Sequence, residues 1–194
     1  MKKKIFIFNG TSRAAEYGIG SYIDQLTTIL KNSKMEFNLV HLYAQGREVE
    51  IVEKEGCRRI NIPYPQFQTR NASQYYAMNV AYLLKEFIPD DKDVEYIFHL
   101  NFMTNEYLVK SLRKMFNCKI VLVAHYTNWS FSLFGNYLKF KKILTKKPKK
   151  SEMFEKSIVK DFKEDIKMID KVDRFVCIAQ HRSIWEKQSL STMP

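Results

Sequence analysis

The sequence predicts an α/β domain built on a doubly wound parallel sheet of about six strands, and three observations carry that expectation. Short apolar runs rich in β-formers recur along the 194 residues. Segments with helical periodicity separate most of them, and no two-residue hairpin signal joins any pair. Strands joined through helices need crossovers, and crossovers favour parallel order. The length suits one domain, or two small ones, able to bury roughly 70% of its unfolded surface without a metal or disulfide staple.

Residues 5–8 (Ile-Phe-Ile-Phe) are wholly apolar and stop at Asn9-Gly10, the pattern of a strand buried on both faces. Over residues 20–30 the apolar positions Tyr22, Ile23, Leu26, Ile29 and Leu30 recur at helical spacing, with Ser21 placed as a cap. Residues 37–42 and 58–62 read as the second and third strands, 73–87 as a helix and 95–100 as the fourth strand. A helix over 104–116, with Thr104 as its cap, leads to a very apolar fifth strand at 119–124. An amphipathic helix over 152–170 precedes a sixth strand at 174–178.

Charge and cysteine usage narrow the class. There are 32 Lys plus Arg against 21 Asp plus Glu, a net charge of +11, and 45% of residues are hydrophobic, which excludes a disordered chain. Residues 139–150 hold seven of the lysines and no acid. Cys57, Cys118 and Cys177 are about sixty residues apart with no C-x-x-C pair, so free thiols in a reducing compartment are expected. The apolar run after Lys2-Lys3-Lys4 is too short for a signal peptide, and nothing approaches the ~18 residues of a membrane span. The expected location is the cytoplasm, with peripheral contact at the inner membrane surface through residues 139–150. The N-x-S sequons at Asn71 and Asn128 carry no meaning there.

In a parallel sheet, ligands sit at the carboxyl ends of the strands. The first strand is followed by a long loop closing on Gly18-Ile19-Gly20 at a helix start, where free N–H groups favour an anion. Ile23 occupies the third glycine's place of a G-x-G-x-x-G, and no ribose-binding acid ends the second strand, so a nicotinamide enzyme does not fit. The fourth strand ends His99-Leu100-Asn101 and the fifth ends His125-Tyr126-Thr127-Asn128-Trp129. A single histidine at a strand end is more often a hydrogen-bonded structural residue, but two at one edge also suit proton exchange near neutral pH. Tyr126 and Trp129 can stack on a sugar ring while Asn128 bonds its hydroxyls, although Trp129, beside an apolar run, fits the core equally well. The acids at 89–93 precede a strand and read as a solvated turn. No P-loop, no G-x-S-x-G elbow and no H-E-x-x-H is present, and no metal or cofactor is expected.

These residues carry a resemblance. Gly18-Ile19-Gly20-Ser21-Tyr22 with Leu26 is similar to the G-I-G-x-Y-x-x-x-L opening of bacterial retaining, family-4-like glycosyltransferases of the GT-B fold. His99 and His125 resemble two histidines of that family, the second one following a V-x-x-x-H strand and facing the active cleft. Residues 173–180 resemble its A-D-x-x-x-x-x-S segment, with Val172 and Gln180 replacing the small residue and the serine. The resemblance implies that residues 1–194 are one Rossmann-like N-terminal, acceptor-binding domain, lacking the C-terminal domain that holds the nucleotide-sugar donor. It also implies His125 as the catalytic residue and Gly18, Gly20, His99, Asn101, Tyr126, Asn128 and Trp129 as substrate-binding. The partners implied are a nucleotide-sugar and a glycan or lipid-linked acceptor. A basic nucleic-acid- or membrane-surface-binding module is the alternative. Eight Arg against 24 Lys, with no recognised binding motif, argues against nucleic acid.

Overall fold

The computed structural model describes residues 2–10, 18–54, 56–63, 71–88, 91, 93–101, 106–146, 148–149 and 151–178. The apolar tetrad at 5–8 is the middle of β1 (Lys2–Gly10). This strand extends back through its lysines because Lys2 and Lys4 both reach the Glu36 carboxylate, at 2.7 and 2.8 Å. The remaining elements are α1 (Gly18–Asn32), β2 (Glu36–Ala44), β3 (Glu50–Lys54), β4 (Cys57–Pro63), α2 (Ala72–Phe87), β5 (Val94–Leu100), α3 (Glu106–Met115), β6 (Cys118–Ala124), α4 (Asn128–Ser132), α5 (Tyr137–Lys146), α6 (Met153–Ile169) and β7 (Arg174–Cys177).

The strands form one seven-stranded sheet in the order β3-β4-β2-β1-β5-β6-β7. All neighbours are parallel except β3 and β4. That antiparallel pair corrects the expected six strands and the expected lack of hairpins: Lys54 faces Cys57 across a two-residue connection whose Gly56 has φ +71°. The strand Glu-Ile-Val-Glu-Lys is mostly charged, as an edge strand must be to avoid pairing further, and so lacked an apolar signal. Two further departures are the start of α1 at Gly18, which moves Ser21 from the cap into the first turn, and the pair of helices α4 and α5. The Thr104 cap lies outside the described residues.

Alternation along the strands splits the core. Phe6, Phe8, Phe98 and Leu100 face α2 and α3, meeting Val80, Ala81, Leu84, Leu108 and Leu112. Phe98 is fully buried and its ring lies 5.2 to 5.8 Å from those of Phe6, Phe8 and Phe116. Truncating it to Ala would cost about 3–5 kcal/mol. On the other face Ile5 and Ile7 meet Ile19, Ile23 and Leu30 of α1. A third cluster of Trp129, Phe140, Ile143, Ile158 and Phe162 joins α4, α5 and α6 beside β7. Asp173 locks β7 in place: its carboxylate accepts the Ile120 N–H at 2.8 Å and an Arg113 N–H at 2.7 Å.

Candidate functional site

The chain builds β2 and β4 on one side of β1, then returns to its other side with β5 and continues outward through β6 and β7. The carboxyl ends of β1 and β5 therefore flank the point where strand order reverses, the place where open α/β sheets bind ligands. Asn101 ties the two strands together there. Its side-chain amide donates to the Phe8 carbonyl at 3.0 Å and its backbone N–H reaches the same oxygen at 3.3 Å.

His99 lies on the sheet face that α1 covers, because it alternates with the buried Phe98 and Leu100 of the opposite face. Tyr22 is four residues beyond Gly18, one helical turn down the same side of α1. Its ring stacks on His99 with centroids 6.1 Å apart and meets His125 edge-on at 5.0 Å. Its hydroxyl lies 3.4 Å from His99 Nε2. The two histidines expected at the edge thus lie within reach of one ring, that of Tyr22, which contacts both. Its helical periodicity groups it with the apolar positions of α1, and its spacing from Gly18 brings it to the edge.

Burial sets the electrostatics. It lowers the His99 imidazole to about 4, with the charge of His125 adding to the effect, and it also lowers His125. Both rings are therefore neutral at pH 7, suited to exchanging hydrogen bonds with hydroxyl groups and unsuited to serving as standing cations. Burial raises the Tyr22 phenol, so it stays protonated. Among the described residues, His99 Nδ1, His125 Nε2 and Asn101 Oδ1 are buried without a hydrogen-bond partner. All three lie at the carboxyl edge of the sheet; Arg58 Nε and Asn61 Oδ1 of β4 are in the same state.

The other expected residues divide. Gly18 and Gly20 stand in the first turn of α1, and Tyr126 (43% exposed) and Asn128 are open to solvent beside His125. Asn101 is wholly buried, so its first role is the tie to Phe8. Trp129 is corrected to the core. It is 2% exposed, stacks on Phe140 at 4.2 Å, meets Phe162 edge-on at 5.5 Å and donates its indole N–H to Asp165 Oδ2 at 3.0 Å, so it is a core residue that only borders the crevice beside His125. Next to His125 an apolar crevice of about 370 Å³ opens, lined by Tyr126, Thr127, Phe131, Phe134 and Cys177 among others. Among the described residues, no group of three or more His, Cys, Asp or Glu side chains is placed to hold a metal ion. The loop at 11–17, Phe102 and Gln180 lie outside the described residues.

No protein-family model matches the sequence, and no curated relative matches it. Among solved structures, the chain is similar to an α,α-trehalose 6-phosphate synthase from Burkholderia multivorans, with a TM-score of 0.50 and 9% identity over 90% of this chain and 40% of that one. The corresponding UDP-forming enzyme of Burkholderia vietnamiensis gives 0.48 and 9% identity over 90% and 39% of the two chains. The Escherichia coli trehalose-6-phosphate structure bound with UDP-2-fluoro glucose gives 0.47 and 11% identity over 97% and 42%. The chain spans about two fifths of the length of these structures. At such identities the likeness is one of fold alone: a mostly parallel α/β sheet flanked by helices, as in a Rossmann-like GT-B half-domain.

Proposed function

We propose that this chain is the acceptor-binding half of a glycosyltransferase that moves a sugar from a nucleotide-sugar donor to a glycan or lipid-linked acceptor. A donor-binding half outside the 194 residues completes the enzyme. The observation that carries the reading is the Tyr22 ring set between His99 and His125 at the β1/β5 reversal, with one buried nitrogen on each imidazole unpartnered among the described residues. The finer assignment to the family-4-like group rests on the order in which Gly18-Ile19-Gly20-Ser21-Tyr22, His99, His125 and Asp173 occur.

In this reading His125 is the catalytic residue. Its neutral imidazole accepts or donates a hydrogen bond at a sugar hydroxyl beside the reacting centre, while the Tyr22 edge fixes the ring. His99 supports it as a second neutral imidazole, and Tyr126 and Asn128 meet the acceptor from the open side. Gly18 and Gly20 let the first turn of the 15-residue α1 approach the donor's phosphates with its free N–H groups. The apolar crevice beside His125 favours an acceptor with an apolar portion.

Calorimetry with saccharides and with nucleotide-sugars tests this. Saturable saccharide binding that is lost in His125→Ala, with weak binding of nucleotide-sugar, is expected. Tight binding specific for a nucleotide-sugar by this chain alone would overturn the assignment to the acceptor side.

A further inference from the structure

The short helix α4 ends in an unusual way. The Gly135 N–H reaches the Ser130 carbonyl at 3.0 Å and the Phe134 N–H reaches the Phe131 carbonyl at 2.9 Å. These two bonds define the Schellman termination, in which the residue at Phe134's position adopts the left-handed conformation and is usually glycine. Here it is a phenylalanine with φ +50°. A bulky side chain in that region is strained, and strain of this kind persists where something outside local folding requires it.

The Phe134 ring does not repay that strain by packing, since it is 96% exposed. Phe131 and Leu138, three residues before and four after it, are 76% and 79% exposed. Phe134, Tyr137, Leu138 and Leu144 do not share one side of a helix. In α5 it is Phe140 and Ile143 that are buried, with Leu144 packed beside them, so Leu138 stands on the opposite, outward side. At helical spacing Leu138 is flanked there by Lys141, Lys142 and Lys146. None of these three lysines makes an ion pair with a described residue. Glu152 and Glu155 line a groove with Leu138, Lys139, Lys142 and Lys146. Glu152 is already engaged, accepting the Lys149 N–H at 2.7 Å. Lys147 and Lys150 lie outside the described residues.

Exposed aromatic and leucine side chains set among unpaired lysines, on a helix without acids, are complementary to an acidic lipid headgroup layer over hydrocarbon. Among the described residues no helix is long and apolar enough to cross a membrane, so contact through this face would be peripheral. We infer that Phe131, Phe134 and Leu138, with Lys141, Lys142 and Lys146 around them, form a docking face for the surface of an anionic lipid bilayer. Phe131 and Phe134 also line the crevice beside His125, so docking here holds the mouth of that crevice against the lipid surface. The inference stands on this face alone and does not depend on sugar transfer.

Co-sedimentation with vesicles decides it, using phosphatidylcholine alone and phosphatidylcholine with about 30% phosphatidylglycerol, at low and high salt. The chain should partition at least tenfold more strongly onto the anionic vesicles, and salt should release it. At about fivefold per lysine, the triple variant Lys141→Gln, Lys142→Gln, Lys146→Gln should lose about a hundredfold. Phe134→Gly is the sharper probe: relief of the left-handed strain keeps the melting temperature equal or higher, while vesicle partitioning falls at least about tenfold. Equal partitioning onto neutral vesicles, or binding indifferent to the lysine changes, would overturn the inference. So would a Phe134→Gly variant that melts earlier yet binds vesicles normally. Self-association abolished by Phe134→Gly without vesicle binding would assign the face to a second copy, and salt-sensitive duplex DNA binding indifferent to Phe134→Gly would assign it to nucleic acid.

Discussion

Asp165→Asn is the substitution whose effect follows most directly from the packing around Trp129. The Asp165 carboxyl lies against the α4–α6 cluster and accepts the Trp129 indole N–H at 3.0 Å. Burial is the main reason it is pushed up from 3.8 to about 7; the indole N–H opposes the rise, and Asp161 and Glu164 add to it. Below 3.8 the group is protonated whether the chain is folded or not. Between there and about 7 only the folded chain holds the proton, so this site makes stability fall as pH rises, with the full penalty present above about pH 7. At 1.36 kcal/mol per pH unit the interval allows ~4 kcal/mol for a wholly desolvated carboxyl. Water reaches part of Asp165, so about 2 kcal/mol is expected.

His99 acts with the opposite sign. Its folded value of about 4 lies below its ordinary 6.5, so its contribution is present above 6.5 and is lost as pH falls towards 4. The two sites offset each other in the native chain, and the difference between native and variant isolates Asp165. Asparagine keeps an oxygen for the indole. Thermal melts from pH 4 to 8 should show equal stability near pH 4 and a gap that widens to a plateau above about pH 8. There the variant should melt about 4–8 °C higher for a chain of this size. Parallel curves for the two proteins, or a variant less stable at every pH, would refute the reasoning.

Two further outcomes are expected. In an enzyme assembled with a donor-binding half, His125→Ala should lower kcat by about a hundredfold or more, the usual scale for a positioned proton-exchanging side chain, while its melting temperature stays within a few degrees. Asn101→Ala should cost about 1 kcal/mol in a denaturant titration, because the Phe8 carbonyl loses the amide but keeps the Asn101 backbone N–H.

The sheet was legible because its central strands are buried on both faces and so read as uninterrupted apolar runs, as in Ile5 to Phe8 and Ile120 to Ala124. Strand β3 was not, because an edge strand with one side open to water carries Glu50, Glu53 and Lys54. Its turn showed only Gly56 of the usual signal. The placing of His99 and His125 at one edge of the sheet was legible because each ends a strand that the apolar pattern reveals. Tyr22 was hidden because helical periodicity gives a site residue and a core residue the same spacing. Trp129 was ambiguous for a related reason: an indole after a strand suits a ligand platform or a core anchor, and the choice rests on Phe140, Phe162 and Asp165, which come from distant parts of the chain. The αL backbone at Phe134 left no trace in the sequence, since Phe-Gly gives no indication of which residue ends the helix.

The central claim is that Tyr22, His99 and His125 form one sugar-receiving site at the reversal of strand order. Its most direct test is to follow the histidine imidazole resonances of the isotopically labelled chain while a panel of saccharides is added at pH 7, where both rings are neutral. The account predicts that the His99 and His125 signals move together and saturably with at least one saccharide, and that Tyr22→Ala, which removes the ring between them, abolishes the response of both. Saccharide binding that leaves both imidazoles unmoved, or that persists unchanged in Tyr22→Ala, would contradict it.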